Sequence, residues 1–333
     1  MHSRPEVRSF LQSCANYWLK EYHFDGLRMD AISRIIYWQG DERRGENGNA
    51  VDFIKVMNKG LKRENPGCML IAEDSTNYPK VTMEVDKGGL GFDYKWDMGW
   101  MHDTLEYFQS GPEYRSKLYH KLTFSMMYYW NEKYLLALSH DEVVHGKATI
   151  IQKMNGDYER KFPQVKAMYL YMMAHPGKKL NFMGNEIGQF REWDEKREQD
   201  WNLLTYPKHD AFHNFMKDLN KTYLSTSALY EKDYEQDGFE WVDCHQEETC
   251  IYVFERSCET QKIVVLLNLS AYNHQYDLTT TGKYTKLSLI LSSDEEQYGG
   301  HSKLKKGTEF NAECGHISIK IPAFSGLYFE VLE

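Results

Sequence analysis

Apolar and polar residues alternate with two different periods along the first 230 residues. Segments in which apolar residues recur every three to four positions are typical of amphipathic helices. These segments cover approximately residues 4–22, 50–64, 101–129, 163–175 and 210–229. Between them lie five short apolar runs, GLRMD, MLIAED, FDYKW, YLLALSHDE and KLNFMGNE, of which all but FDYKW end in a charged residue. Because strands alternate with helices, the pattern predicts βα units and a parallel α/β sheet of five strands.

The pattern changes near residue 238 to short runs of alternating residues separated by turn-forming residues. Examples are CIYVFER, KIVVLLNLS, HISIKIP and GLYFEVLE. Such runs are typical of antiparallel sheets that have one face packed against a core. We therefore predict two domains, an α/β domain over residues 1–232 and a β-sandwich over residues 233–333.

Composition narrows the class of protein. The 333-residue chain has 40 Lys and Arg against 49 Asp and Glu, and its formal charge of −9 repels nucleic acid and anionic lipid. Its longest apolar runs are far shorter than the roughly 20 residues that span a bilayer. No export signal is visible, and the six cysteines are scattered without a C-x-x-C pair. We expect a soluble, cytoplasmic protein with neither nucleic acid nor membrane partners.

Ionisable and amide residues fall repeatedly at the carboxyl ends of the predicted strands. They are Arg28 with Asp30, Glu73 with Asp74, His140 with Asp141, and Asn185 with Glu186. In a parallel barrel these strand ends form the active face. Glycosidic bond chemistry requires two carboxyl groups there, one that attacks the anomeric carbon and one that protonates the departing oxygen. The positions therefore indicate a glycoside-active site.

The segment LSHDEVVHGK raises the alternative of a metal site. His140 and His145 are five residues apart rather than four, and the H-E-x-x-H order is absent. We therefore expect no metal here and no cofactor elsewhere. Glu142 and His145 are interpreted as loop residues that shape a cleft.

Four segments together resemble successive signatures of one enzyme family. FDGLRMDAISRIIYW, LIAEDSTNYPKVT, LALSHDEVVHGK and FMGNEIGQFREWDEKREQDWNLL are similar to segments of the 1,4-α-glucan (glycogen) branching enzymes, within the α-amylase family. The resemblance implies that Asp30 is the nucleophile, Glu73 the general acid/base and Asp141 the carboxylate that stabilises the transition state. It also implies that Arg28 orients the nucleophile and that His140 binds sugar hydroxyl groups.

The resemblance also implies a fold. We expect about the last five strands of a (β/α)8 TIM barrel followed by an all-β C-terminal domain, with three strands and an amino-terminal β domain upstream. Open barrel edges expose unpaired backbone groups. We therefore expect the chain alone to be a poor catalyst and to self-associate through those edges.

The expected reaction is transfer of a glucan chain rather than hydrolysis. The AIS tripeptide after Asp30 and Ser139 before His140 differ from the residues that starch-hydrolysing relatives carry there, and the HDEVVHGK and GNEIGQFREW segments resemble branching enzymes. An α-1,4 bond would be cleaved through a covalent glycosyl-enzyme intermediate, which the 6-hydroxyl of another α-1,4-glucan (glycogen, amylose or amylopectin) resolves to form an α-1,6 branch. The alternatives are an amylase-type α-glucan hydrolase and an inactive glucan-binding protein.

Overall fold

A computed structural model describes residues 4–280 and 282–332 of the chain. The chain divides into two compact units. The first comprises the residues up to Gly99 together with Met126–Leu136, and the second comprises Trp100–Ser125 together with the residues from Ala137 onward.

Parallel strands form the centre of the first unit. They are β1 (Gly26–Met29), β2 (Met69–Ala72), β3 (Tyr94–Trp96) and the first three residues of β4 (Tyr134–Leu138). The register pairs Leu27 with Leu70, Ile71 with Tyr94, and Lys95 with Tyr134. All three pairings are parallel, so the carboxyl ends of these strands lie at the same edge of the sheet.

Helices cover the same unit and complete its core. They are α1 (Pro5–Glu21), α2 (Ser33–Ile36) and α3 (Gly48–Glu64). Helix α3 buries Ile54, Met57 and Leu61 in a cluster with Leu70 of β2. These residues recur at helical spacing, which is why the pattern located this helix correctly. The helix ends before Pro66, whose ring cannot continue it.

The second unit begins with further βα elements. They are the greater part of α4 (Met98–Gln109), then α5 (Lys121–Phe124), α6 (Ile150–Lys153), α7 (Tyr158–Ala174), β5 (Lys178–Asn181) and α8 (Pro207–Ser225). The end of β4 lies beside the end of β5, where the Phe182 amide donates to the Leu138 carbonyl at 2.9 Å. The strand order is β1-β2-β3-β4-β5, which confirms the predicted five-stranded parallel sheet of a partial barrel.

The long helical region predicted over residues 101–129 is divided into several shorter helices. Helix α4 ends at Gln109. Gly111 and Pro112 follow, and the chain continues as a 3-10 helix, Pro112–Leu118, before the short helix α5. Proline lacks the amide proton that a continuing helix would need, and glycine is a poor helix former.

Antiparallel strands make up the rest of the second unit. They are β6 (Phe239–Gln246), β7 (Ile251–Ser257), β8 (Lys262–Asn268), β9 (His274–Thr279), β10 (Lys286–Ser292), β11 (Glu309–Asn311), β12 (His316–Ile321) and β13 (Ser325–Leu332). Six form a sheet in the order β11-β10-β13-β8-β7-β6, and β12 pairs with β9. Val253, Leu266, Ile319 and Phe329 pack between the two sheets. The all-β C-terminal fold is confirmed, while the boundary at residues 232/233 stays a prediction.

Among the described residues, no helix is both long enough and apolar enough to cross a membrane.

Candidate active site

The ends of β1 and β2 are joined by two backbone hydrogen bonds that frame Asp30. The Glu73 amide donates to the Met29 carbonyl, and the Ile32 amide donates to the Glu73 carbonyl, each at 3.0 Å. Between these bonds Ala31 adopts a left-handed conformation with φ of 42°. Alanine avoids this region, so the surrounding ladder must hold it there, and such residues cluster at functional sites. The backbone at Asp30, directly after β1, is therefore held in one conformation.

Arg28 contacts both predicted catalytic carboxylates of the first unit. Its Nη1 donates to Asp30 Oδ1 at 2.9 Å and to Glu73 Oε2. Because both carboxylate oxygens accept a hydrogen bond from the same nitrogen, the two oxygens lie within about 6 Å of each other, which is twice an ordinary hydrogen-bond length. That limit includes the roughly 5–5.5 Å separation of the carboxyl groups in retaining glycosidases.

The ring of Trp96 packs against the guanidinium group of Arg28. The central carbon of the Arg28 guanidinium lies 4.7 Å from the centroid of the Trp96 ring, a cation–π distance. Trp96 is buried, whereas the Asp30 side chain is 71% exposed and the Glu73 side chain 18%. A solvent-borne substrate can therefore reach the Asp30 carboxylate while Arg28 remains held between the ring and the two acids.

A buried ion pair lies directly after Glu73. Lys95 Nζ donates to Asp74 Oδ2 at 2.8 Å and to the Thr76 carbonyl at 2.7 Å. Asp74 also accepts from the Thr76 amide and hydroxyl at 3.1 and 2.9 Å. These contacts fix the turn that follows β2, so Asp74 is a structural acid although it also falls at a strand end.

The second unit holds His140 and Asp141 in a short 3-10 helix, His140–Val143, after β4. Ser139 caps this turn: its hydroxyl accepts from the Asp141 amide at 3.1 Å, and its amide donates to Glu142 at 2.7 Å. His140 Nε2 lies 3.4 Å from Asp141 Oδ1. Glu142 is buried in this cap, so its role is to hold the turn.

A cleft of about 450 Å³ opens beside His140 and Asp141. Trp193 forms one wall, and its ring centroid lies 6.0 Å from that of His140 and 5.2 Å from that of Phe182. His145 also lines the cleft, as its loop position suggested. A half-buried indole beside a polar pocket suits stacking against a sugar ring.

Glu192 also lines this cleft and binds the loop that follows Asp141. Its carboxylate accepts from the amides of Gly146 and Ala148 at 2.9 and 2.7 Å. These two amide donors are the largest cause of a lowered pKa for Glu192. The Glu192 carboxyl group is therefore ionised at neutral pH, and its oxygens are engaged by the two loop amides.

The structure brings three of the five predicted site residues into direct contact, namely Arg28, Asp30 and Glu73. His140 and Asp141 adjoin each other in the second unit. Within residues 4–280 and 282–332, no group of three or more His, Cys, Asp or Glu side chains could hold a metal ion.

The sequence interpretation did not single out Trp96, Lys95, Glu192 or Trp193. A signal was available for two of them. Glu192 and Trp193 lie in the GNEIGQFREW segment that the resemblance had already marked. The contacts of Trp96 and Lys95 are long-range and leave no local pattern.

Comparison with known families agrees with this architecture. The family described as "Alpha amylase, catalytic domain" matches residues 1–257, and the one described as "Alpha amylase, C-terminal all-beta domain" matches residues 241–331. The chain belongs to the α-amylase family.

Three similar relatives are bacterial proteins named 1,4-alpha-glucan branching enzyme. GlgB 1 of Clostridium perfringens (strain 13 / Type A) is 44% identical over 98% of this chain. GlgB of Bacillus subtilis (strain 168) and GlgB of Bacillus cereus (strain AH187) are 42% and 39% identical, each over 96% of it. The chain spans only 51–52% of the length of these relatives.

Solved structures of low sequence identity share the fold. The α-amylase from Geobacillus thermoleovorans, complexed with acarbose, has a TM-score of 0.67 at 14% identity, covering 100% of this chain and 65% of its own. The α-amylase from H. orenii has a TM-score of 0.67 at 17% identity, covering 99% and 65%.

Proposed function

We propose that the chain carries the catalytic residues of a 1,4-α-glucan branching enzyme that works by retaining transglycosylation. Similarity to relatives of that name supports the reaction. The contact of Arg28 with both Asp30 and Glu73 supports the mechanism and is the single observation on which it rests. A shared cation keeps two like charges close enough for a double-displacement reaction.

Each proposed role follows from the chemistry of the group. Asp30 attacks the anomeric carbon of an α-1,4-linked residue, and Glu73 protonates the glycosidic oxygen, which departs as the 4-hydroxyl of the cleaved glucan. Glu73 then removes a proton from the 6-hydroxyl of an acceptor glucan, which displaces Asp30 and completes the α-1,6 branch. Asp141 stabilises the positive charge that develops on the sugar. Arg28 orients the nucleophile, and His140 binds hydroxyl groups of the substrate.

The substrate and location belong to the same proposal. The substrate is an α-1,4-glucan, and stacking on Trp193 together with hydrogen bonding at His140 provides a binding surface of suitable chemistry. The proposed location is the cytoplasm. The proposed domain boundary lies at residues 232/233.

The test uses this chain and a chimera in which it replaces the corresponding half of the Clostridium perfringens relative. Each is incubated with amylose, and new branches are counted by debranching the product. The chimera is expected to lower iodine colour while reducing ends rise little, because each cleaved bond is replaced. Reducing ends that rise in step with colour loss would identify a hydrolase. No change in either would leave only glucan binding.

Two substitutions separate catalysis from folding. Asp30→Ala and Glu73→Gln should each lower the branching rate by at least about a thousandfold with the fold unchanged, because each removes one half of the two-carboxylate mechanism. The control is Asp86→Asn, an exposed acid that pairs with Lys59 rather than with either catalytic residue. A Glu73→Gln chimera that branches at nearly the parental rate would contradict the assignment.

Self-association is a further part of this proposal. Strand β1 is the first in the sheet order, and α1 beside it carries exposed aromatic residues. The rings of Trp18 and Phe24 stack at 5.6 Å, and those of Trp18 and Tyr22 lie 4.8 Å apart. We propose that a second copy of the chain covers this aromatic patch, because exposed contiguous apolar surface favours association.

Light scattering tests the association. Trp18→Ser should shift the chain toward the monomer, whereas Tyr272→Ser, which removes a solitary exposed aromatic residue, should not. A parent chain that is monomeric at all concentrations would contradict the proposal.

A further inference from the structure

The loop that follows Asp141 has a backbone that requires outside support. His145, Gly146 and Ala148 all have positive φ, at 58°, 78° and 66°. Residues other than glycine disfavour this region, and here two of the three are His and Ala. This loop directly follows His140 and Asp141. Their side chains must be held in position if they act in a reaction, so the conformation of the loop matters.

Lys153 supplies that support from helix α6. Its Nζ donates to the carbonyls of Glu142 at 2.5 Å, Lys147 at 2.7 Å and Ala148. An ammonium group has three donors, so all three are used on main-chain oxygens of the one loop. Three converging carbonyls around a positive charge resemble the oxygen ligands of a bound cation.

A positive and a negative side chain bind the carbonyl and the amide groups of this loop, respectively. The Lys153 ammonium binds the carbonyls, while the Glu192 carboxylate binds the amides of Gly146 and Ala148. Lys147, whose carbonyl Lys153 holds, donates its own Nζ to the Asp141 carbonyl at 2.8 Å. The chain of contacts therefore leads from Lys153 to the backbone of Asp141.

We propose that Lys153 is a positioning residue whose ammonium group acts as a built-in cation in a cage of three carbonyls, and so fixes the loop, residues 142–149, that directly follows His140 and Asp141. It does not touch substrate in this account. The part of the inference that concerns Asp141 rests on the proposed function, whereas the part that concerns the cage does not.

Hydrogen exchange of the full chain at pH 7 tests the cage. Lys153→Met should raise the exchange rate of amides in residues 142–149 by at least about tenfold, since a hydrogen bond to a charged group contributes at least that factor. The matched control is Lys161→Met. Lys161 also donates to main-chain carbonyls, those of Gln152 and Met154, but to none of the loop. Unchanged exchange in Lys153→Met, or an equal rise in Lys161→Met, would overturn the proposal.

Chemical rescue distinguishes a cation cage from general packing. Lys153→Ala removes the three terminal carbons and the ammonium group, which are together the size of propylammonium. Propylammonium ions should restore slow exchange in residues 142–149. Tetramethylammonium ions at the same concentration should not, because they carry no N–H donor. Equal restoration by both ions, or by neither, would overturn the cage.

Kinetics of the chimera separate this inference from the proposed function. If Asp141 acts in the reaction, Lys153→Met should lower kcat more than it raises KM, and propylammonium should restore kcat to Lys153→Ala. A loosened loop with unchanged kcat would keep the cage and contradict the role of Asp141. A rigid loop with lowered kcat would contradict the cage alone.

Discussion

Breaking the buried ion pair of Lys95 and Asp74 should strongly destabilise the chain. The two side chains are 5% and 0% exposed, and their charged atoms lie 2.8 Å apart. Lys95→Met removes the cation and leaves the carboxylate in a medium of low dielectric constant. Removing one partner of a buried pair costs about 3–5 kcal/mol. Because Thr76 still donates two hydrogen bonds to Asp74, we expect a loss near the lower end, about 3 kcal/mol.

Urea denaturation followed by circular dichroism measures this loss as a lower midpoint at constant slope. The double variant Asp74→Leu/Lys95→Met buries no charge and should recover most of the stability, with a coupling energy of at least about 2 kcal/mol. The control is Lys59→Met, which breaks a pair whose side chains are 62% and 78% exposed and should cost less than about 1 kcal/mol. Equal costs for Lys95→Met and Lys59→Met would refute the reasoning.

Three further predictions concern the second unit. Burial lowers the pKa of Lys179 to about 7. Between pH 7 and about 10 the unfolded chain therefore binds more protons than the folded chain, and the free energy of unfolding rises with pH. In thermal melts, Lys179→Met should reduce that rise by roughly 4 kcal/mol. Trp193→Ala should weaken maltoheptaose binding about tenfold by calorimetry, whereas Trp201→Ala, an exposed control, should not. Ser139→Ala should remove about 1 kcal/mol of stability by uncapping the turn; an unchanged urea midpoint would contradict that role.

The sequence located the strands and their terminal acids because both leave local patterns. A buried parallel strand must be apolar over its length, and a charge can appear only where the strand reaches solvent. The runs GLRMD and MLIAED therefore predicted the positions of Asp30 and Glu73. The helical region over residues 101–129 is divided in the structure, because the apolar spacing continues across Gly111 and Pro112, whereas an α-helical backbone cannot continue through them.

Other parts of the site could not be predicted, because they depend on contacts that form only when the backbone is folded. The support of Arg28 by Trp96 joins β1 to β3, 68 residues later. The interactions of Lys153 and Glu192 with the loop use main-chain atoms, which every residue has, so no residue type at the receiving end marks them. Such contacts become visible only once the backbone is known.

The central claim is that Asp30 forms a covalent bond to the sugar while Glu73 serves as acid and base. A fluorinated α-maltosyl fluoride tests it in the Glu73→Gln chimera, because fluoride departs without an acid and the missing base delays release of the glycosyl group. Mass spectrometry after denaturation and proteolysis should find one added glycosyl group, located on Asp30 in the peptide that contains residues 26–33. No adduct under conditions that label the Clostridium perfringens relative, or an adduct on Asp141 or any other residue, would contradict the account.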